Sequence, residues 1–141
     1  MAGKIIDSWA LLAFLKDAPG AEEIEKLFVS AEKNRNRQNI LMSAISWGEV
    51  YGSILNDTSK EDAERFARDF KELPIQIVET LNILDVMKQA AIYRVNHKLS
   101  YAASHEAAVA KIANAELLTG NKDFMPLENE IKIKWLPNSS N

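Results

Sequence analysis

The chain has 141 residues, 47% of them hydrophobic and 26% charged, with a net charge of −3 at pH 7. That is about one ordinary domain, long enough to bury a core and too apolar for intrinsic disorder. The absence of cysteine excludes disulfides, Cys-ligated zinc and thiol catalysis. A pI of about 5.4 argues against a protein that grips nucleic acid mainly by neutralising phosphates. The longest apolar run, 9–15, falls short of the roughly 20 residues that cross a bilayer, and it follows an acid rather than a basic segment, unlike a signal peptide.

Taken in chain order, Lys4, Ile5 and Ile6 read as a short buried strand, and 8–16 as a helix broken by Ala18, Pro19 and Gly20. A second helix spans 21–33, with Ile24, Leu27, Phe28 and Ala31 on one face. The polar, basic stretch 34–39 reads as a loop, and 40–44 as a second strand. Ser46 starts a helix that ends near Asn56 and Asp57. Thr58 and Glu61 match a capping box for the next, whose apolar face is Ala63, Phe66, Phe70 and Leu73, and Pro74 stops it. A third strand is expected over 75–78. The helix expected over 81–96 has Leu84, Met87, Ala91 and Val95 in line. Ser100 caps an alanine-rich helix to about Asn114. Strands are expected at 116–119 and 131–135, with a frayed tail at 137–141.

Strands separated by helices need crossover connections. The expected fold is therefore α/β, with a mostly parallel sheet of four or five strands and helices on both faces. The expected organisation is one domain, 1–136, and the tail. Ligands in such folds bind beyond the carboxyl ends of the strands. Asp7 follows the first strand, Glu49 lies one turn into the helix after the second, and Asn121 and Asp123 follow the fourth. The helix begun by Ser100 brings Ala103 to the same edge. Carboxylates gathered there repel unless a cation neutralises them. Oxygen-only donors suit Mg²⁺ or Mn²⁺, and such an ion can bridge an acidic pocket to an anionic phosphodiester and activate water. Glycine-rich nucleotide loops are absent, and His97 and His105 lack a zinc or triad context.

Four stretches in order resemble the PIN domain, and specifically the toxin ribonucleases of VapBC toxin–antitoxin pairs. They are Ile5-Ile6-Asp7-Ser8 followed by Leu11-Leu12-Ala13-Phe14-Leu15; Ser46-Trp47-Gly48-Glu49-Val50-Tyr51; His97-Lys98-Leu99-Ser100-Tyr101-Ala102; and Leu117-Leu118-Thr119-Gly120-Asn121-Lys122-Asp123-Phe124. The resemblance implies a three-layer PIN-like fold and an Mg²⁺- or Mn²⁺-dependent endoribonuclease acting on tRNA, rRNA or mRNA. It also implies a prokaryotic cytoplasm, a cognate VapB-type antitoxin, and a homodimer or toxin–antitoxin hetero-oligomer with no membrane role. Asp7 and Glu49 would hold the metal or its waters.

Two positions depart from the family pattern. The residue after Ser100-Tyr101-Ala102, normally a metal-binding aspartate, is Ala103, and the acid of the last stretch is Asn121, which can coordinate only through its carbonyl. The chain is thus expected to be a weakened or inactivated variant, whether engineered or natural. A naturally non-catalytic PIN module that binds a protein or RNA is the alternative. Asp123 and Glu106 are the acids near enough in sequence to compensate, Glu106 with the weaker claim.

Structural roles compete at each position. Asp7 can cap the first helix, Glu49 can close a capping box with Ser46, Asn121 suits a turn, Asp123 a solvated loop, and Glu106 a surface or rim position. Trp9, Trp47 and Trp135 read as core or interface anchors. His97 reads as a helix-terminal cation and His105 as a solvated helix residue. Lys33, Arg35 and Arg37 read as a solvated loop, with RNA steering, by them or by Arg94, Lys98 and Lys122, as the alternative.

Overall fold

A computed structural model describes residues 3–33, 39–79 and 81–138. Five strands, β1 (Lys4–Ile6), β2 (Ile40–Met42), β3 (Gln76–Ile77), β4 (Glu116–Thr119) and β5 (Ile133–Trp135), pair in the order β3-β2-β1-β4-β5. All the pairings are parallel, with Ile5 opposite Leu41 on one side and Leu117 on the other. Six α-helices connect them: α1 (Ser8–Leu15), α2 (Ala21–Lys33), α3 (Ala44–Asp57), α4 (Lys60–Asp69), α5 (Ile83–His97) and α6 (Tyr101–Ala113). The expected α/β class and parallel sheet are what the structure has.

Because side chains alternate across a strand, the central strand feeds two cores. Ile5 and Leu117 pack beneath α5 and α6 with Val86, Ala90, Tyr93, Ala107 and Phe124. Ile6 and Leu118 pack on the opposite face with Leu11, Ile24, Phe28, Val50 and Phe66. Three layers follow. Gly120 is dictated by close approach: a Cβ there would sit 2.3 Å from the Trp9 ring. Trp9 and Trp47 are partly buried and pack against the second core, and Trp135 against the first, as anchors.

Several boundaries differ from expectation for local reasons. Ser43 accepts the Ser46 N–H and caps α3, so β2 stops at Met42 and the helix starts two residues early. Ser59, not Thr58, caps α4, accepting from the Asp62 N–H; the Thr58 hydroxyl instead donates to the Ile54 carbonyl and closes α3. Asn82 caps α5. A 3-10 segment, Lys122–Leu127, follows β4. The largest correction concerns α5. Its buried stripe is Val86, Ala90 and Tyr93, whereas Leu84 and Val95 of the expected stripe are 73% and 80% exposed. Apolar and polar residues are intermixed around this helix, so periodicity alone could not select the packed face. The small-residue surface of α6 selected it. Of the expected tail, Asn138 donates to the Gly120 carbonyl, and residues 139–141 lie outside the described residues, as does 34–38 of the expected loop.

Candidate metal centre

Two strands leave the central strand in opposite directions, β2 on one side and β4 on the other. The crevice at the carboxyl ends of β1 and β4 is therefore the topological switch point, where open parallel sheets bind ligands. Asp7 is the first residue past β1 and is 4% exposed. Its Oδ1 accepts the Ala10 N–H at 2.9 Å, capping α1. Its Oδ2 accepts the Thr119 hydroxyl from the end of β4 at 2.5 Å. Capping and pocket placement thus coexist in one carboxylate. Burial raises its pKa to about 6, against the lowering effect of these hydrogen bonds.

Glu49 lies in the second turn of α3, exposed at the mouth of the crevice. Ser43 has taken the cap role, so Glu49 does not return to the Ser46 N–H; its Oε1 accepts the Ser8 hydroxyl at 2.9 Å. Its charge adds to the upward shift at Asp7.

Glu106 departs most from the sequence reading. It is not a surface or rim residue but 1% exposed. Its Oε2 accepts the Ser43 hydroxyl at 2.6 Å and a short hydrogen bond from Ser46, while Oε1 is buried without a partner. Desolvation raises its pKa to about 7, with Asp7 and Glu49 adding to the rise. Burial of α6 over Ala103–Ala110 explains the miss: the helix is covered around its whole circumference, so the polar residues of 104–106 are inside. His105 is likewise 6% exposed rather than solvated, its Nδ1 unpartnered and its pKa lowered by burial. A charged residue in an alanine-rich helix with few other polar groups was the available signal.

Ala103 lies beside this group at the start of α6. Its N–H is held by the Ser100 hydroxyl at 3.1 Å, and its methyl belongs to the core beneath α5 and α6. Asn121 caps the 3-10 segment, its Oδ1 accepting the Asp123 N–H at 3.0 Å, and its own N–H donates to Thr119 Oγ1. It is thus joined to Asp7 through one hydroxyl. Asp123 is exposed.

The structure therefore gathers Asp7, Glu49 and Glu106, with Asn121 linked through Thr119 and Asp123 outside. Among the described residues, no three His, Cys, Asp or Glu side chains form a ready-made cation cage. The ion pairs there, Lys4–Glu116, Lys26–Glu22 and Arg65–Asp62, involve none of the pocket acids. Two buried carboxylates with one bare oxygen make a donor set that fits a hard divalent cation. Such an ion uses one or two carboxylates and completes its shell with water.

No helix among the described residues is long and apolar enough to cross a membrane. No curated protein matches the chain in sequence. Solved structures share its fold. VapBC2 from Rickettsia felis, bound to a promoter DNA fragment, is 16% identical with a TM-score of 0.70, covering 95% of this chain and 98% of that one. VapBC-1 from nontypeable Haemophilus influenzae is 15% identical with a TM-score of 0.68, covering 94% and 96%. Mycobacterium tuberculosis VapC20, described as a sarcin-ricin loop cleaving toxin, is 14% identical with a TM-score of 0.68, covering 96% and 100%. The PIN domain family profile matches residues 4–127, a span that contains β1, β4, the switch-point crevice and all three gathered acids, and the chain belongs to the PIN domain family.

Proposed function

We propose that this chain is the toxin of a toxin–antitoxin pair, a metal-dependent endoribonuclease that hydrolyses RNA phosphodiester bonds, weakened by alanine at position 103. The observation that carries this reading is the placement of Asp7. It is a buried carboxylate at the switch point of a PIN sheet, fixed through both oxygens and coupled electrostatically to Glu49 and Glu106. A divalent cation, Mg²⁺ or Mn²⁺, supplies the charge that lets an acidic pocket accept a phosphodiester, and it acidifies water. Asp7 and Glu49 hold it. Thr119 locks the Asp7 carboxylate in one rotamer, and Ser8 does the same for Glu49 at the mouth. Asn121 and Asp123 form the outer edge, where the phosphate backbone enters.

The relatives of known structure include toxin–antitoxin complexes. For this chain, the corresponding partner is an antitoxin segment. A groove of about 410 Å³ lined by Val78, Leu81, Ile83, Met87, Tyr101 and His105 opens beside Ser43 and supports that assignment. The exposed apolar stripe of α5, including Ile83, Leu84, Ile92 and Val95, supports self-association, since exposed apolar patches mark interfaces. A prokaryotic cytoplasm is the compartment that goes with this function.

A second reading, a non-catalytic PIN module, is favoured by Ala103 in the apolar core and Asn121 in a capping role. The test is cleavage of total RNA with Mn²⁺, with EDTA beside each sample. The chain itself, Asp7→Asn and Ala103→Asp are compared. The toxin reading expects weak EDTA-sensitive cleavage by the chain, stronger cleavage by Ala103→Asp and none by Asp7→Asn. Position 103 is the third residue of α6, where a carboxylate is favoured by the helix N-terminus. If neither the chain nor Ala103→Asp cuts any RNA, the binding-module reading replaces this one.

A further inference from the structure

We propose that Glu106 is itself a cation ligand, sharing a divalent ion with Asp7 and standing in, one turn along α6, for the acid that position 103 lacks. This rests on the metal-dependent reading above.

Glu106 is 1% exposed, yet among the described residues it has neither an ion-pair partner nor a full set of hydrogen bonds. Both serine hydroxyls fall on Oε2, and Oε1 is left buried and bare. A carboxylate serving structure alone gains by spreading its donors over both oxygens. Leaving a buried charged oxygen unpaired is costly. The donors also place it. Ser43 is the first residue past β2 and Ser46 lies in the first turn of α3, so together they hold the carboxylate at the same sheet edge as Asp7.

The route from position 103 to position 106 is short. α6 runs antiparallel to the strands, so its N-terminus faces that edge. Long helical side chains slant back over the preceding turn. A glutamate at 106 therefore covers the ground in front of residue 103, and its extra methylene offsets part of the rise of about 4.5 Å between the two positions. Two carboxylates suffice, because Mg²⁺ and Mn²⁺ fill their remaining positions with water and substrate phosphate oxygens.

The test is calorimetric titration of Mn²⁺ alone into the full chain, Glu106→Gln, Asp7→Asn and Ala103→Asp, each checked for folding by circular dichroism. The expected result is binding by the chain that weakens at least tenfold in Glu106→Gln, while the metal-free thermal midpoint of that variant is unchanged or higher. A merely structural glutamate would give a lower midpoint and unchanged affinity. As a second measurement, Mn²⁺ should broaden the backbone NMR signals of residues 103–107 together with those of 7–10 in the unmodified chain. Three results overturn the proposal. If Glu106→Gln binds Mn²⁺ as well as the chain, or the signals of 103–107 stay sharp while those of 7–10 broaden, Glu106 is not a ligand and the metal-dependent reading stands. If only Ala103→Asp binds, position 103 is a lost ligand with no substitute. If no version binds, the metal-dependent reading falls too.

Discussion

The two sides of the crevice hold their buried acids differently. On the β1–β4 side, Asp7 distributes its hydrogen bonds, one backbone N–H to Oδ1 and one hydroxyl to Oδ2. On the α3–α6 side, Glu106 receives two hydroxyls on one oxygen and none on the other. Both acids are held up by desolvation, to about 6 and about 7, but only the first has a hydrogen bond on each oxygen. The lesson is that equal burial does not mean equal function. The fold fixes the position of Asp7 through both oxygens, whereas it leaves one oxygen of Glu106 open.

The comparison breaks most sharply if Asp7 is neutralised. Asp7→Asn keeps a good helix cap but removes the charge. Its loss of cleavage should exceed the roughly 10–100-fold typical of removing an outer partner of a metal ligand, as read by RNA cleavage with Mn²⁺. Thr119→Val and the double change Ser43→Ala with Ser46→Ala probe the outer partners themselves. Each should weaken Mn²⁺ affinity by about 10–100-fold in calorimetry. If only Thr119→Val does so, the α3–α6 side is structural.

The pH dependence of stability comes next. Both acids bind protons more tightly folded than unfolded, so between their unfolded and folded pKa values the native state carries more protons, and stability falls as pH rises. Metal-free protein should therefore lose stability from about pH 4 to pH 7, on the order of 3 kcal/mol for Glu106 alone at 1.36 kcal/mol per pKa unit, measured by urea unfolding. Glu106→Gln should flatten the upper part of that slope, and Mn²⁺ should oppose it by mass action. Gly120→Ala, which drives a methyl into the Trp9 ring, should cost about 1–3 kcal/mol by overpacking, without altering the slope. The smallest effect belongs to Val95→Glu on the exposed stripe of α5. It should change stability by less than about 0.5 kcal/mol while shifting sedimentation toward monomer.

How much was legible follows from how local each signal is. α2 was readable to the residue because its apolar and charged positions segregate, and the expected bounds 21–33 are the observed ones. Ser100 and Asp7 were readable as caps because each sits directly before an apolar-periodic run. The caps of α3 and α4 were not. Ser43 competes with Ser46, and Ser59 with Thr58, and the winner depends on where the preceding segment ends rather than on the motif. The packed face of α5 was hidden because its polar and apolar residues are intermixed around the helix.

The sequence by itself determined the alternation of strands and helices, the parallel sheet and the arrival of Asp7 at a strand end. These follow from hydrophobic period, turn residues and the handedness of crossovers, all of which act over a few residues to a few tens. Only the tertiary structure decided that Glu106 is inside and that Ala103 belongs to the core. It also decided that Asn121 turns the chain and that the apolar stripe of α5 faces outward. The Glu106 contacts span 60 and 63 residues of chain, and the packing of α6 against α5 and the sheet settles which surfaces meet after the local pattern has done its part.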